Sequence, residues 1–91
     1  MTTAEPSEVV LSFEPFQGQY IKSLPLHHTQ QVLIDNEDEL RISLKIFVTF
    51  DFVQELLSYG KTVEVIQPQS LIDEVKGIYK KALGKYFWKS F

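Results

Sequence analysis

The chain has 91 residues, 44% of them hydrophobic and 23% charged, which fits one small globular domain with a modest core. It has no cysteine, and that excludes a disulfide framework, a thiolate metal site and a thiol nucleophile. The net charge of −3 hides an asymmetry: residues 1–74 hold all 12 acidic groups and four of the nine basic ones, a net −8, whereas residues 75–91 hold five lysines and no acid.

Residues 1–7 are polar and aperiodic, which predicts a linker, and they lack the basic and apolar regions of a signal peptide. No apolar run approaches the ~20 residues of a transmembrane helix. The expectation is a soluble, cytoplasmic protein with no membrane contact. Residues 8–13 alternate, with Val9, Leu11 and Phe13 on one side and Val10 and Ser12 on the other, so they predict a half-buried strand. Pro15 stops that strand and suits the first turn of a helix. Phe16, Tyr20, Ile21 and Leu24 then recur with helical spacing and predict the apolar face of a short helix, with Gly18 an unfavourable residue inside it. Pro25 ends it, and residues 26–30 connect to a short β-rich run at residues 31–34.

The acidic stretch at residues 35–39 reads as a turn. Residues 40–48 are the clearest strand: Leu40, Ile42, Leu44, Ile46 and Val48 share one face, and Arg41, Ser43, Lys45 and Phe47 the other. Thr49 is a predicted N-cap, with Asp51 in the first turn of the helix that follows. Phe52, Val53, Leu56 and Leu57 form its apolar stripe. Gly60 can take positive φ at no steric cost, so it marks the chain reversal into a strand at residues 62–66. Pro68 lacks an N–H and opens the next helix. Leu71, Ile72, Val75, Ile78, Tyr79, Ala82 and Leu83 carry the helical period there, with Gly84 expected to weaken or end it.

The order is βαββαβ plus a C-terminal helix. Two right-handed split crossovers place four strands in one antiparallel sheet with the helices on one face, an α+β, ferredoxin-like sandwich with the first and third strands central. The expected division is a linker at 1–7, one domain at 8–84 and an aromatic, basic tail at 85–91.

Little chemistry is written in these residues. His27 and His28 are the only histidines; adjacent residues in an extended loop point apart, so no metal site is expected. The run at residues 35–39 lacks the spacing and glycine of a calcium loop. No phosphate-cradling glycine loop or nucleophile elbow occurs, so neither an enzyme nor a cofactor is expected. Residues 45–50 resemble the third strand of an RNA-recognition motif, but its glycine and a second stacking aromatic are missing. Arg41, Lys45 and Phe47 would lie on the open sheet face, where a neighbouring domain or a polyanion could be met. Lys76, Lys80, Lys81 and Lys85 would form a basic helix face, either solvated or in contact with phosphates.

Three segments together resemble the C-terminal extension (WCX-type) domain of WYL-domain-containing bacterial transcriptional regulators. Residues 9–13 resemble its opening strand. His28, Thr29 and Gln30 resemble its H-[S/T]-Q connection. Residues 56–60, then 63–68 and Leu71, resemble its helix–glycine–strand–proline signature. The likeness spans residue 8 to about residue 83. It implies a longer protein with a winged helix-turn-helix and a WYL domain ahead of this piece. It also implies a regulatory, ligand-sensing and dimer-contact role, a WYL domain of the same or a partner chain as contact, and a homodimer in the full-length regulator. Nucleic acid is a further candidate partner. The alternative is a purely structural dimerisation domain without a ligand. The candidate contact residues are His28, Gln30, Arg41, Lys45 and Phe47, with Gly60 and Pro68 structural.

Overall fold

The computed structural model describes residues 5–88, without the side chain of Trp88. Most of the expected linker and the last three residues of the expected tail lie outside that range. The elements are β1 (Ser7–Phe13), α1 (Pro15–Ser23), β2 (Gln31–Asp35), β3 (Leu40–Ile46), α2 (Phe50–Ser58), β4 (Val63–Gln67) and α3 (Gln69–Trp88). The sheet order is β2-β3-β1-β4, every neighbouring pair antiparallel. This is the ferredoxin-like arrangement, with β1 and β3 central.

The alternation in the two central strands decides where the core sits. Val9, Leu11 and Phe13 of β1 and Leu40, Ile42, Leu44 and Ile46 of β3 all face the helices and are buried. Ile21 of α1, Val53 and Leu56 of α2, and Leu71 of α3 close over them. Removing this much apolar side chain from water is the main favourable contribution to folding. β3 ends at Ile46, two residues short of the expected strand end, and Val48 beyond it still packs on the core from a half-buried position.

The expected apolar face of α1 is wrong in all but one residue. Ile21 is buried, but Phe16 is 71% exposed and Leu24 77%, with Tyr20 also outside. The face turned to the sheet is made by Gly18 and Ile21. A Cβ at position 18 would lie 2.8 Å from the Cβ of Leu40, so the helix can approach β3 only because that residue is glycine. The close approach sets the rotation of α1, and Phe16 and Tyr20 are left to stack edge-to-face on the outside, 5.5 Å between centroids.

The second crossover follows its sequence signals. The Thr49 hydroxyl accepts the Phe52 N–H at 3.2 Å and caps α2. Gly60 has φ +59°, the left-handed conformation expected of it. A single 3-10 turn, Gly60–Thr62, separates it from β4, and the Thr62 carbonyl accepts the Glu14 N–H at 2.9 Å, tying this turn to the end of β1. The Gln67–Pro68 peptide is cis, and the Pro68 carbonyl accepts the N–H groups of Leu71 and Ile72, so Pro68 stands at the start of α3.

α3 does not end at Gly84. It runs on to Trp88, through the first four residues of the expected tail. Nothing lies within 4 Å of where a Cβ at Gly84 would be, so that glycine is not demanded by contact and its helix-weakening cost, about 1 kcal/mol, is absorbed. Leu71 anchors the helix in the core, whereas every residue from Tyr79 to Phe87 is exposed.

Candidate functional site

The helix-free face of the sheet is built by cross-strand pairs. Glu8 lies opposite Lys45, Val10 opposite Ser43, and Ser12 opposite Arg41. Glu64 of β4 flanks Ser12, and Gln31 of β2 flanks Ser43. At the centre, Val10 and Ser43 are only 7% and 8% exposed, covered by the longer side chains around them. The open face is therefore a polar surface over a closed centre.

The connection between α1 and β2 is folded against one end of this face. The Thr29 hydroxyl accepts the Lys45 N–H at 2.9 Å, and its own proton is within reach of the Lys45 carbonyl at 3.2 Å and His27 Nδ1 at 2.8 Å. It satisfies the β3 backbone just beyond the start of β2, where no ladder partner remains. The Gln30 amide is spent inside the domain: its oxygen accepts the Leu26 N–H at 2.9 Å and its nitrogen donates to the Ile21 carbonyl at 3.1 Å. Because the segment turns, the rings of His27 and His28 do not point apart as an extended loop would have them. They lie against each other, centroids 4.2 Å apart and planes tilted by 33°.

Around this connection a depression of about 400 Å³ opens, lined by Glu8, His28, Thr29, Gln30, Gln31, Ser43 and Lys45. Three of the predicted contact residues, His28, Gln30 and Lys45, are brought together there. Of these, His28 and Lys45 are exposed; the Lys45 ammonium makes no ion pair among the described residues, and it and the outer face of the His28 ring are the groups that can meet a ligand. Glu8, Gln31 and Ser43 were not singled out from the sequence. Antiparallel pairing of the two best strands would have found Glu8 and Ser43; Gln31 depends on a register shift in β2 that no residue announces.

Arg41 sits elsewhere on the face and is already paired. Its guanidinium grips Glu39, Nε to Oε2 at 3.2 Å and Nη2 to Oε1 at 3.3 Å, and the Ser12 hydroxyl donates to the same carboxylate. The Ser12 hydrogen bond is the main cause holding the Glu39 carboxyl below its ordinary value; burial opposes it and Arg41 adds to it. The expected Arg41–Lys45 cation pair is thus reduced to Lys45. Phe47 leaves the open face altogether. β3 ends at Ile46, the alternation stops, and Phe47 turns into a cleft with Leu26, His27, Leu44, Ile46, Phe52 and Glu55.

The four helix lysines do not share one face. At roughly 100° per residue, Lys76 and Lys80 flank one side of the apolar stripe and Lys81 and Lys85 the other. Spacing of four pairs them in twos, but the step from Lys80 to Lys81 crosses the helix. All four are exposed.

Residues 5–83 match the family model of the WCX domain, which covers β1 to most of α3. No curated protein matches the chain. Among the described residues no helix is long and apolar enough to cross a membrane.

Proposed function

The chain belongs to the WCX domain family, which is associated with WYL-type regulators, and from that premise we propose that it is a non-catalytic, ligand-responsive contact module of a transcriptional regulator. Its contacts are a WYL domain of the same or a partner chain, a second regulator subunit, and a polyanionic ligand such as single-stranded nucleic acid. The observation that carries the proposal is the depression at the end of the open sheet face, where Lys45 and His28 stand exposed beside a fixed connection. Thr29 and Gln30 hold that connection in place, so the two exposed groups are presented by a rigid surround. No catalytic step is assigned: the chain has no cysteine, and its single arginine is held by Glu39.

A structural dimerisation domain is the second reading. It is favoured by the internal use of Gln30 and Arg41, two groups that a ligand site would leave available. Titration of a short single-stranded oligonucleotide, followed by backbone amide shifts, separates the two. The ligand-responsive module predicts saturable shifts at residues 8–12, 28–31 and 43–45 that survive moderate salt. Shifts confined to residues 76–85 and abolished by salt would overturn it in favour of the structural reading.

A further inference from the structure

We infer that the wedge between α3 and the edge strand β4 binds a small monocarboxylic acid with an apolar body, either a single aromatic ring or a branched aliphatic chain. The site lies on the helix side of the sheet, away from the depression at Lys45, so the inference goes beyond the function proposed above and does not depend on it.

The wedge exists because α3 leaves the body as it runs. Leu71 is held in the core, Ile72 and Val75 are half-buried, and Tyr79 is 41% exposed. Ile72, Val75, Lys76 and Tyr79 recur at helical spacing and turn one stripe of α3 towards β4. β4 answers with Val63 and Val65, which pair with Phe13 and Leu11 and so face the helices. Both are short side chains, and the space opened by the diverging helix stays unfilled over them. A depression of about 250 Å³ remains, with the buried Leu56 of α2 in its wall. An apolar cavity of roughly 150 Å³ holds a benzene molecule, so this one has room for one ring and a substituent. It is smaller than the roughly 300–1,000 Å³ of a site for a drug-sized ligand.

The polar groups at the mouth decide the ligand's chemistry. Against five aliphatic side chains stand two polar ones, the Lys76 ammonium and the Tyr79 hydroxyl. Among the described residues Lys76 makes no ion pair and the Tyr79 hydroxyl no hydrogen bond. Asp73, one turn before Lys76, takes the Gln69 amide at 2.9 Å instead. Glu64 stands between the two valines, so it alternates to the open face beside Ser12 and lends the wedge its backbone rather than its carboxylate. One cation and one hydroxyl, both able to donate, therefore border an aliphatic floor with no anion among them. A single carboxylate meets both donors, and an apolar body covers the floor. A phosphate ester would bring a second negative charge to a site with one cation. An amino acid would bring an ammonium group with no carboxylate to receive it.

The test titrates benzoate into the full 91-residue chain and follows methyl and amide shifts, with acetate and benzyl alcohol as companions. Benzoate should give saturable shifts at the methyl groups of Val63, Val65, Ile72 and Val75. Acetate should give none, and benzyl alcohol should bind more weakly than benzoate. Lys76→Met keeps an apolar stem at an exposed position and removes the charge, and circular dichroism checks its fold. It should weaken benzoate about tenfold, the size of one charge-assisted contact, and leave benzyl alcohol unchanged. Absence of saturable benzoate shifts overturns the inference, as does equal affinity for benzoate and benzyl alcohol, or a Lys76→Met variant that binds benzoate undiminished. If the same methyl groups answer only to an added WYL domain, the wedge is a domain contact and the inference also fails. The oligonucleotide shifts at residues 43–45 are read separately and bear only on the function proposed above.

Discussion

The two faces of one sheet obey the same alternation and are used in opposite ways. On the helix side, the residues that the period of two selects from the central strands are all buried, and each of them does the same thing: it excludes water. On the open side, the same period selects Arg41, Ser43 and Lys45, and each of these does something different. Arg41 is bound by Glu39, Ser43 is covered, and Lys45 is exposed. Alternation therefore predicts burial well and chemical availability badly. Availability depends on partners that arrive from other elements, here the 35–39 turn and the α1–β2 connection.

The largest expected effect sets the two faces against each other in stability. Leu11→Ala, on the buried side, should cost about 2–5 kcal/mol in denaturant unfolding, while Lys45→Ala should stay within about 0.5 kcal/mol. Similar losses for both would erase the contrast. Next comes the α1 contact. Gly18→Ala puts a methyl 2.8 Å from Leu40 Cβ and should cost about 1–3 kcal/mol through displacement of the helix. Gly60→Val should cost at least about 1 kcal/mol, because φ +59° is hostile to a β-branched residue. Gly77→Ala, at a half-buried helix position where nothing lies within 4 Å of the added methyl, should instead raise stability by about 0.5–1 kcal/mol. The smallest effects are in pH dependence. Glu39 has a lowered value in the fold, so its stabilisation is present above the ordinary 4.5 and is lost as pH falls below it. Ser12→Ala should weaken that acid dependence. Tyr59 behaves oppositely: burial, then Glu55, push it up to about 12, so its stabilisation holds below pH 10 and is lost as pH rises from about 10 to about 12. An absorbance titration in Glu55→Gln should show the phenol ionising at lower pH.

The order of elements, the central strands, the Thr49 cap and the left-handed Gly60 were all legible in the sequence, since each rests on neighbours in the chain. The face of α1 was not. Its hydrophobic spacing favoured Phe16 and Leu24, but the close approach of Gly18 to Leu40 overrode it, and that contact joins residues 22 positions apart. The reach of α3 past Gly84 was also hidden, because a single glycine costs less than the surrounding turns supply. At the candidate site, Lys45 was legible from alternation and His28 and Gln30 from their resemblance to a known connection. Their gathering into one depression depends on Thr29 and Gln30 bonding across the fold. Phe47 was misplaced because the strand ends one residue before it.

The most direct test of the claim that the open face, and not the helix lysines, meets a ligand is a comparison of two variants. Affinity for one single-stranded oligonucleotide is measured for Lys45→Ala and Lys81→Ala across a salt series. The account predicts that Lys45→Ala loses about tenfold at moderate salt, the size of one charge-assisted contact. Lys81→Ala should lower only the salt slope. A greater loss for Lys81→Ala at moderate salt, with Lys45→Ala unchanged, would contradict it.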